Sequence, residues 1–416
     1  MNSPAAINPT TKPKSRKTAH GSRLRWAVFQ AHWLFGITIG IVLGVMGVTG
    51  ATMAFENQVM EALSPGVVDV APRQIPVLTP DALLARFVSE MPGTKPTTIT
   101  LRTRAGAAPQ ITFTPPRAGD GPARAEKLYV DPYDGRILGH ATGEQFFATV
   151  RRLHRFLLLP GDAKGPGRQI TGITALSLLG FLASGIYLRW PKRPLNWRLW
   201  FKPNLRARKR GLYFSLHQVI GTWVLPVYLI IALTGLTYSY PWFKSGFDWL
   251  LTGQTDDNVD KETAPKEAAV KAPSGAKKAK AAEPLPTLDP TWRTVLAEPG
   301  GASTVIISIP KIAREHVRVR YLSPDAGNDR AYNELKVRPD GAIIKRDLYS
   351  SHSLGGRIST ARLAVHRGSF FGLPFAILFM LAALAMPLFP ITGYLLYLGR
   401  RRMAPSAARR SSTRIE

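Results

Sequence analysis

Four long apolar stretches divide the chain, and the segments between them show much shorter periods. The first, Trp26–Phe55, contains no Asp, Glu, Lys or Arg. It exceeds the roughly 20 apolar residues needed to cross a bilayer core. Similar stretches follow, so membrane-spanning helices are expected at 26–55, 166–190, 211–243 and 366–399. Between the first two, Thr79-Pro80-Asp81 before ALLARFV reads as a capped short helix. Alternating runs at Thr97–Arg102, Gln110–Thr114 and Lys127–Val130 read as strands, the last leading into a hairpin that turns at Asp134-Gly135. The pattern recurs between the last two spans, with a helix near Pro290–Ala297, strands at Ser303–Ile309 and His316–Tyr321, and a hairpin turning at Asp340-Gly341. Two small α+β domains are therefore expected, in segments 56–165 and 244–365. Gly143–Leu159 has apolar residues amid Arg151, Arg152 and Arg155, a pattern expected of an amphipathic helix at the membrane surface. Residues 254–286, rich in Lys, Ala, Glu and Pro, are expected to be a disordered insertion.

Charge sets the orientation. The net charge of +28 would suit a nucleic-acid binder, but its placement argues against that partner. Residues 1–25, 191–210 and 400–416 together hold 20 of the 55 basic residues and one of the 27 acidic ones. Each abuts an apolar span, so the positive-inside rule puts all three in the cytoplasm as a disordered basic arm, a loop and a tail. Both termini are then cytoplasmic, and both α+β segments lie outside. The first span is too long for a cleavable leader and lacks a small-residue cleavage site after it. Cysteine is absent, which excludes disulfides, thiolate metal sites, iron–sulfur clusters and covalent c-type haem.

Histidine is the residue that carries chemistry. His32 is the only ionisable group in the first span, and an intramembrane ionisable group points to function. Gly36, Gly40, Gly44 and Gly47 follow it near the same helix face, where they could seat a flat macrocycle or let another helix approach. The third span repeats the pattern: His32 to Thr49-Gly50 and His217 to Thr234-Gly235 are both 17 residues. The second and fourth spans are each preceded by His-Arg, at His154 and His366, and each ends in an aromatic Gly-Ile-Tyr-Leu or Gly-Tyr-Leu-Leu. The expected fold is thus a mainly α membrane protein: a four-helix transmembrane bundle built from a parallel internal repeat, with two small α+β periplasmic domains. His32 and His217 begin outward-running spans and His154 and His366 precede inward-running ones. That gives two pairs, one near each face. Neutral imidazole is a good iron ligand, and haem iron takes one axial ligand on each side of its ring. Two non-covalent b-type haems are expected, His32 with His217 and His154 with His366. The alternative is that these histidines only cap helices or bind head groups. Zinc would need three or four converging ligands. His20, His140, His316 and His352 read as solvated or structural.

These features resemble the PepSY-associated transmembrane family of iron-regulated membrane proteins, from about Arg23 to Arg402. The motifs are His32-Trp33 with Gly36, Leu153-His154-Arg155 with Gly167-Arg168, Gly185–Pro191, Leu216-His217 with Gly221, and His366-Arg367-Gly368 with Gly372. The hairpin at Val130–Gly139 resembles the closing strands of a PepSY domain, and the second such domain is degenerate. The resemblance implies a bacterial inner-membrane, haem-containing reductase of ferric siderophores, with His32, His154, His217 and His366 as haem ligands. No flavin or nicotinamide fold is expected, so a quinol or a separate cytoplasmic reductase would donate electrons. Two other functions fit: a relay cytochrome for another periplasmic acceptor, or a non-redox PepSY protein that modulates a peptidase. No catalytic residue is assigned.

Overall fold

A computed structural model describes residues 19–116, 125–254, 287–310 and 315–401. The expected insertion at 254–286, apart from its first residue, lies outside them, as do residues 1–18 of the basic arm and 402–416 of the tail. The chain forms two compact units. The first takes in residues up to Val42, Ser177–Leu225 and the chain from Pro387 onward. The second comprises Leu43–Leu176 and Pro226–Met386.

Three helices are continuous through the apolar stretches: α1 (Ala19–Thr52), α5 (Pro166–Arg189) and α7 (Arg210–Ser239). Helix α1 starts inside the expected basic arm. Residues 19–25 therefore extend the first span as helix, carrying its basic residues to the end of the rod. The fourth stretch is not one helix. It comprises α12 (Leu373–Leu384) and α13 (Leu388–Arg401), interrupted at 385–387. Pro387 cannot donate a backbone hydrogen bond and its ring crowds the preceding turn, so the helix stops and restarts there. Four segments, Arg23–Thr52, Pro166–Arg189, Arg210–Ser239 and Leu373–Gly399, are long and apolar enough to cross a membrane. This is a multi-pass membrane protein.

Within the first unit, the basic residues at the span ends are used to join helices. Arg25 donates to the Leu188 carbonyl at 2.7 Å. Arg189 donates to the carbonyls of Leu199 and Trp200, both at 2.7 Å, and to the Thr222 hydroxyl. It thereby ties α5 to α7 and to the short α6 (Trp197–Phe201) of the connecting loop.

In the second unit, α2 (Glu56–Ala62) turns the chain away from α1, and the soluble part follows. Helix α3 (Pro80–Glu90) begins with Pro80 in its first turn and the Thr79 side chain accepting from the Ala82 amide. It buries Leu83, Leu84 and Phe87. Strands β1 (Lys95–Arg102), β2 (Gln110–Thr114), β3 (Glu126–Val130) and β4 (Ile137–Gly139) run as an antiparallel meander. The Asp131 side chain caps the last turn by accepting from the Tyr133 amide at 2.8 Å, and Gly135 takes the left-handed conformation there, φ +74°. The second segment supplies α9 (Asp289–Leu296) and strands β5 (Thr304–Ser308), β6 (Val317–Leu322), β7 (Asn333–Val337) and β8 (Ile343–Asp347).

The two segments do not make separate sheets. All eight strands form one antiparallel sheet in the order β4-β3-β2-β1-β5-β6-β7-β8. The join is β1 with β5, in register from Thr98 opposite Ser308 to Arg102 opposite Thr304. Pairing these edges satisfies two rows of backbone groups that separate domains would leave open. One apolar core continues across the join, including Ile99, Ile111, Phe113, Val305, Ile307, Val319 and Leu335. Helices α3 and α9 also cap each other. Asp81 accepts from the Leu288 amide at 2.6 Å and the Asp289 amide at 3.3 Å, and Asp289 accepts from the Asp81 amide at 3.0 Å. The chain then returns through α8 (Pro241–Thr252), α10 (Leu354–Thr360) and α11 (Arg362–Arg367), of which α8 precedes the second soluble segment and α10 and α11 follow it.

Candidate functional site

In the first unit, His32 on α1 and His217 on α7 come together with ring centroids 6.4 Å apart and planes inclined at 70°. Each ring is held through Nδ1. His32 meets the Ser184 hydroxyl on α5 at 2.7 Å, and His217 meets the Thr392 hydroxyl on α13 at 2.7 Å. Phe181 and Phe389 stand edge-on to the two rings at 5.6 and 5.3 Å. A cleft of 310 Å³ opens beside His32, with Phe35, Gly180, Phe181 and Ser184 among its walls.

In the second unit, His154 lies on α4 (Glu144–Phe156) and His366 on α11. His154 Nδ1 lies 3.0 Å from the Thr49 hydroxyl and 3.0 Å from the Met46 carbonyl of α1. His366 Nδ1 lies 2.8 Å from the Thr234 hydroxyl of α7. A Cβ on Gly50 would stand 3.2 Å from His154 Cε1, and one on Gly235 would stand 3.4 Å from His366 Cε1. The glycine after each threonine thus gives the imidazole room to lie against the helix. Burial pushes His154 down to about 4 and His366 down to about 3; the Arg155 and Arg367 charges add to the effect at His154, and the His154 and Arg367 charges add to it at His366.

The hydroxyls fix the tautomers. A Ser or Thr hydroxyl has one proton to give. Ser184 donates it to the Gly180 carbonyl at 2.6 Å, Thr49 to Val45 at 2.7 Å, Thr234 to Ile230 at 2.6 Å and Thr392 to Leu388 at 2.7 Å. Each oxygen must then accept from the histidine, so the proton sits on Nδ1. Nε2 keeps its lone pair in all four rings, and no hydrogen bond to Nε2 is made among the described residues. Four neutral imidazoles, each oriented through its other nitrogen, form a donor set suited to a metal centre.

The helices that carry the second pair are tied by one carboxylate. Glu56, 6% exposed, accepts from Arg151 of α4 at 2.7 Å and from Arg367 of α11 at 3.0 Å. Asp248 of α8 is bound by Arg362 of α11 at 2.7 Å and by Lys244 at 3.1 Å. Its burial opposes the charge, but the Ser359 hydroxyl, Arg362 and Lys244 together hold the carboxyl below the ordinary carboxylate range.

The other described histidines are engaged elsewhere. His140 meets Glu144 at 3.2 Å and His352 meets Asp347 at 2.7 Å, while His316 is exposed just before β6. The glycines after His32 divide between both expected uses. Gly36 faces open space, whereas a Cβ on Gly40 would press on Pro390, and one on Gly47 on Met386 and the Ala383 carbonyl. The hydroxyl seats were not expected. Their signal is a Ser-Gly or Thr-Gly pair in every span: Thr49-Gly50, Ser184-Gly185, Thr234-Gly235 and Thr392-Gly393.

None of the curated proteins compared with the chain matches it. The model of the PepSY-associated TM region matches residues 29–400, which takes in all four histidines and the whole eight-stranded sheet. The chain belongs to the PepSY-associated transmembrane family.

Proposed function

We propose that this protein is a di-haem b oxidoreductase of the bacterial inner membrane that passes electrons outward to ferric iron in siderophore complexes. The observation that carries the reading is the set of four Nδ1-anchored imidazoles in two pairs. A first-row metal bonds imidazole nitrogen at about 2.0 Å, so two imidazoles that would share one ion must lie close together. The 6.4 Å between His32 and His217 fits that requirement. His32 and His217 would hold one haem, and His154 and His366 the other. A bound haem would supply a one-electron couple at its iron. The chain's own part is to present lone pairs, hold the rings still and surround them with apolar side chains. Ferric siderophore as acceptor rests on the resemblance to iron-regulated family members. The donor would be a quinol or a separate cytoplasmic reductase. The repeated 17-residue spacing supports an internally duplicated bundle.

The deciding measurement is the absorption spectrum of purified protein, dithionite-reduced minus oxidised. Sharp bands of b-type haem at two per chain are expected, reoxidised by ferric siderophore without oxygen. Absence of any haem signal would leave the peptidase-modulating reading. Reoxidation by other acceptors only would favour the relay cytochrome.

Orientation gives a separate prediction. Residues 191–210 carry eight basic residues and no acid, so a reporter fused after Lys202 should be active only in the cytoplasm. Periplasmic activity would invert the proposed direction of electron flow.

The hydroxyl seats give another. Thr234→Val removes the acceptor at His366 Nδ1 while keeping the side-chain shape. A tenfold or greater loss of haem affinity at that site is expected, from the usual range of about 10–100-fold for such partners. Thr234→Ser should restore it. Equal haem retention by all three proteins in a competition with apomyoglobin would show that the hydroxyl does not orient the ligand.

A further inference from the structure

Around His366 the structure gathers more guanidinium groups than the ligand pair and the helix ties require. Tyr238, at the end of α7, stands with its ring 6.3 Å from the His366 ring, and the residue is 42% exposed. Arg155, Arg330, Arg362 and Arg367 all lie close enough to the Tyr238 hydroxyl to act on it electrostatically. Arg362 is one helical turn before His366, and Arg155 and Arg367 directly follow the two paired histidines. Arg330 lies in the connection between β6 and β7. Its neighbour Asp329 accepts from the Ser369 hydroxyl at 3.1 Å, two residues beyond Arg367.

The carboxylates nearby do not balance this charge. Glu56 is shared by Arg151 and Arg367, and Asp248 by Arg362 and Lys244. Arg155 forms no ion pair among the described residues, and its guanidinium rests 4.9 Å over the Phe156 ring. Arg330 approaches Asp329 only at 3.8 Å, and its Nε is buried with no hydrogen-bond partner. Guanidinium groups repel each other when crowded, and a buried N–H without an acceptor is costly. Both costs are relieved by one kind of ligand. A carboxylate offers two acceptor oxygens that match the guanidinium fork and carries the missing negative charge.

We propose that Arg155 and Arg330, with the Tyr238 hydroxyl, form a binding site for a carboxylate-bearing ligand beside His366. Two sources share this chemistry: the carboxylate side chains of a porphyrin held by His154 and His366, or the carboxylates of a soluble iron chelate arriving from outside. The site deepens the proposed function, because the second source makes the acceptor an anionic chelate rather than a neutral one. Its external source does not depend on haem being present.

The test uses the full chain in detergent, with two probes. Citrate binding is followed by titration calorimetry, and haem is compared with haem dimethyl ester for reconstitution, followed by absorption. Native protein should bind citrate saturably, more weakly as salt rises, or should prefer haem over the diester by about tenfold or more. Arg155→Gln with Arg330→Gln should abolish whichever effect is seen, and Arg155→Lys with Arg330→Lys should retain part of it, because the charge remains. Loss in the citrate arm assigns the site to an external chelate, and loss in the diester arm to the porphyrin. If native protein shows neither citrate binding nor a haem preference, or if the glutamine variant keeps both, the proposal is wrong. Failure to take up haem, with citrate binding intact, would count against the haem reading and not against this site.

Discussion

Replacing His154 with alanine is expected to remove one of the two proposed haems and leave the other, and replacing His366 should remove the same one. His32→Ala and His217→Ala should each remove the second haem. The grouping follows from which residues hold each ring. His154 rests on Thr49-Gly50 and His366 on Thr234-Gly235, and Glu56 ties their two helices together through Arg151 and Arg367. His32 and His217 face each other at 6.4 Å, on the hydroxyls of Ser184 and Thr392. Each pair of imidazoles would hold its haem, so a single variant would take away half of the protein's ligands to it and should empty the site or change its spectrum. The measurement is haem per protein by pyridine haemochrome, with low-temperature spectra to tell the two sites apart. If His32→Ala and His366→Ala removed one common haem, the pairing would be wrong.

Much of this was legible in the sequence because it is local. Strand alternation brings Ile99 and Leu101 to one face of β1 whatever β1 pairs with, so the strands fall close to where the pattern places them. His32 and His217 stand out because the two 17-residue intervals end on the same Thr-Gly pair, and His154 and His366 because each begins a His-Arg before a span. In the sequence that Thr-Gly pair marks only the repeat, because its partners, His154 and His366, lie 105 and 132 residues away. The joining of the two α+β segments was not legible for the same reason. β1 meets β5 across some 200 residues, and no local pattern says which edge strand will pair with which. The break in the fourth span had a visible cause in Pro387. Its apolar composition nevertheless reads as one helix, because proline within a membrane helix does not always end it.

The residue with the greatest structural reach is one that sequence pattern passes over. Glu56 follows directly after the first span, and no motif or period in the sequence marks it. In the structure it is 6% exposed and holds Arg151 and Arg367, which lie 95 and 311 residues away. Arg367 is the better-buried partner, with a side chain 18% exposed against 44% for Arg151. Removing one member of a buried pair leaves the other charge without compensation, which costs about 3–5 kcal/mol. Exposure of Arg151 reduces that, so Glu56→Ala is expected to destabilise the protein by roughly 3 kcal/mol. The loss should be local in its effect on cofactor. Arg151 is one turn before His154 on α4, and Arg367 is adjacent to His366 on α11, so freeing both arginines lets both imidazoles drift from Thr49 and Thr234. Glu56→Ala should therefore lower haem at the His154/His366 pair and leave the His32/His217 haem in place. Glu56→Gln keeps the size and one acceptor oxygen, and should retain more haem than the alanine variant. Thermal unfolding and haem stoichiometry of the three proteins provide the test. If Glu56→Ala matched the native protein in both, Glu56 would only neutralise the two arginines without positioning their helices. The order of the two histidine-bearing helices would then have to come from the hydroxyl seats alone.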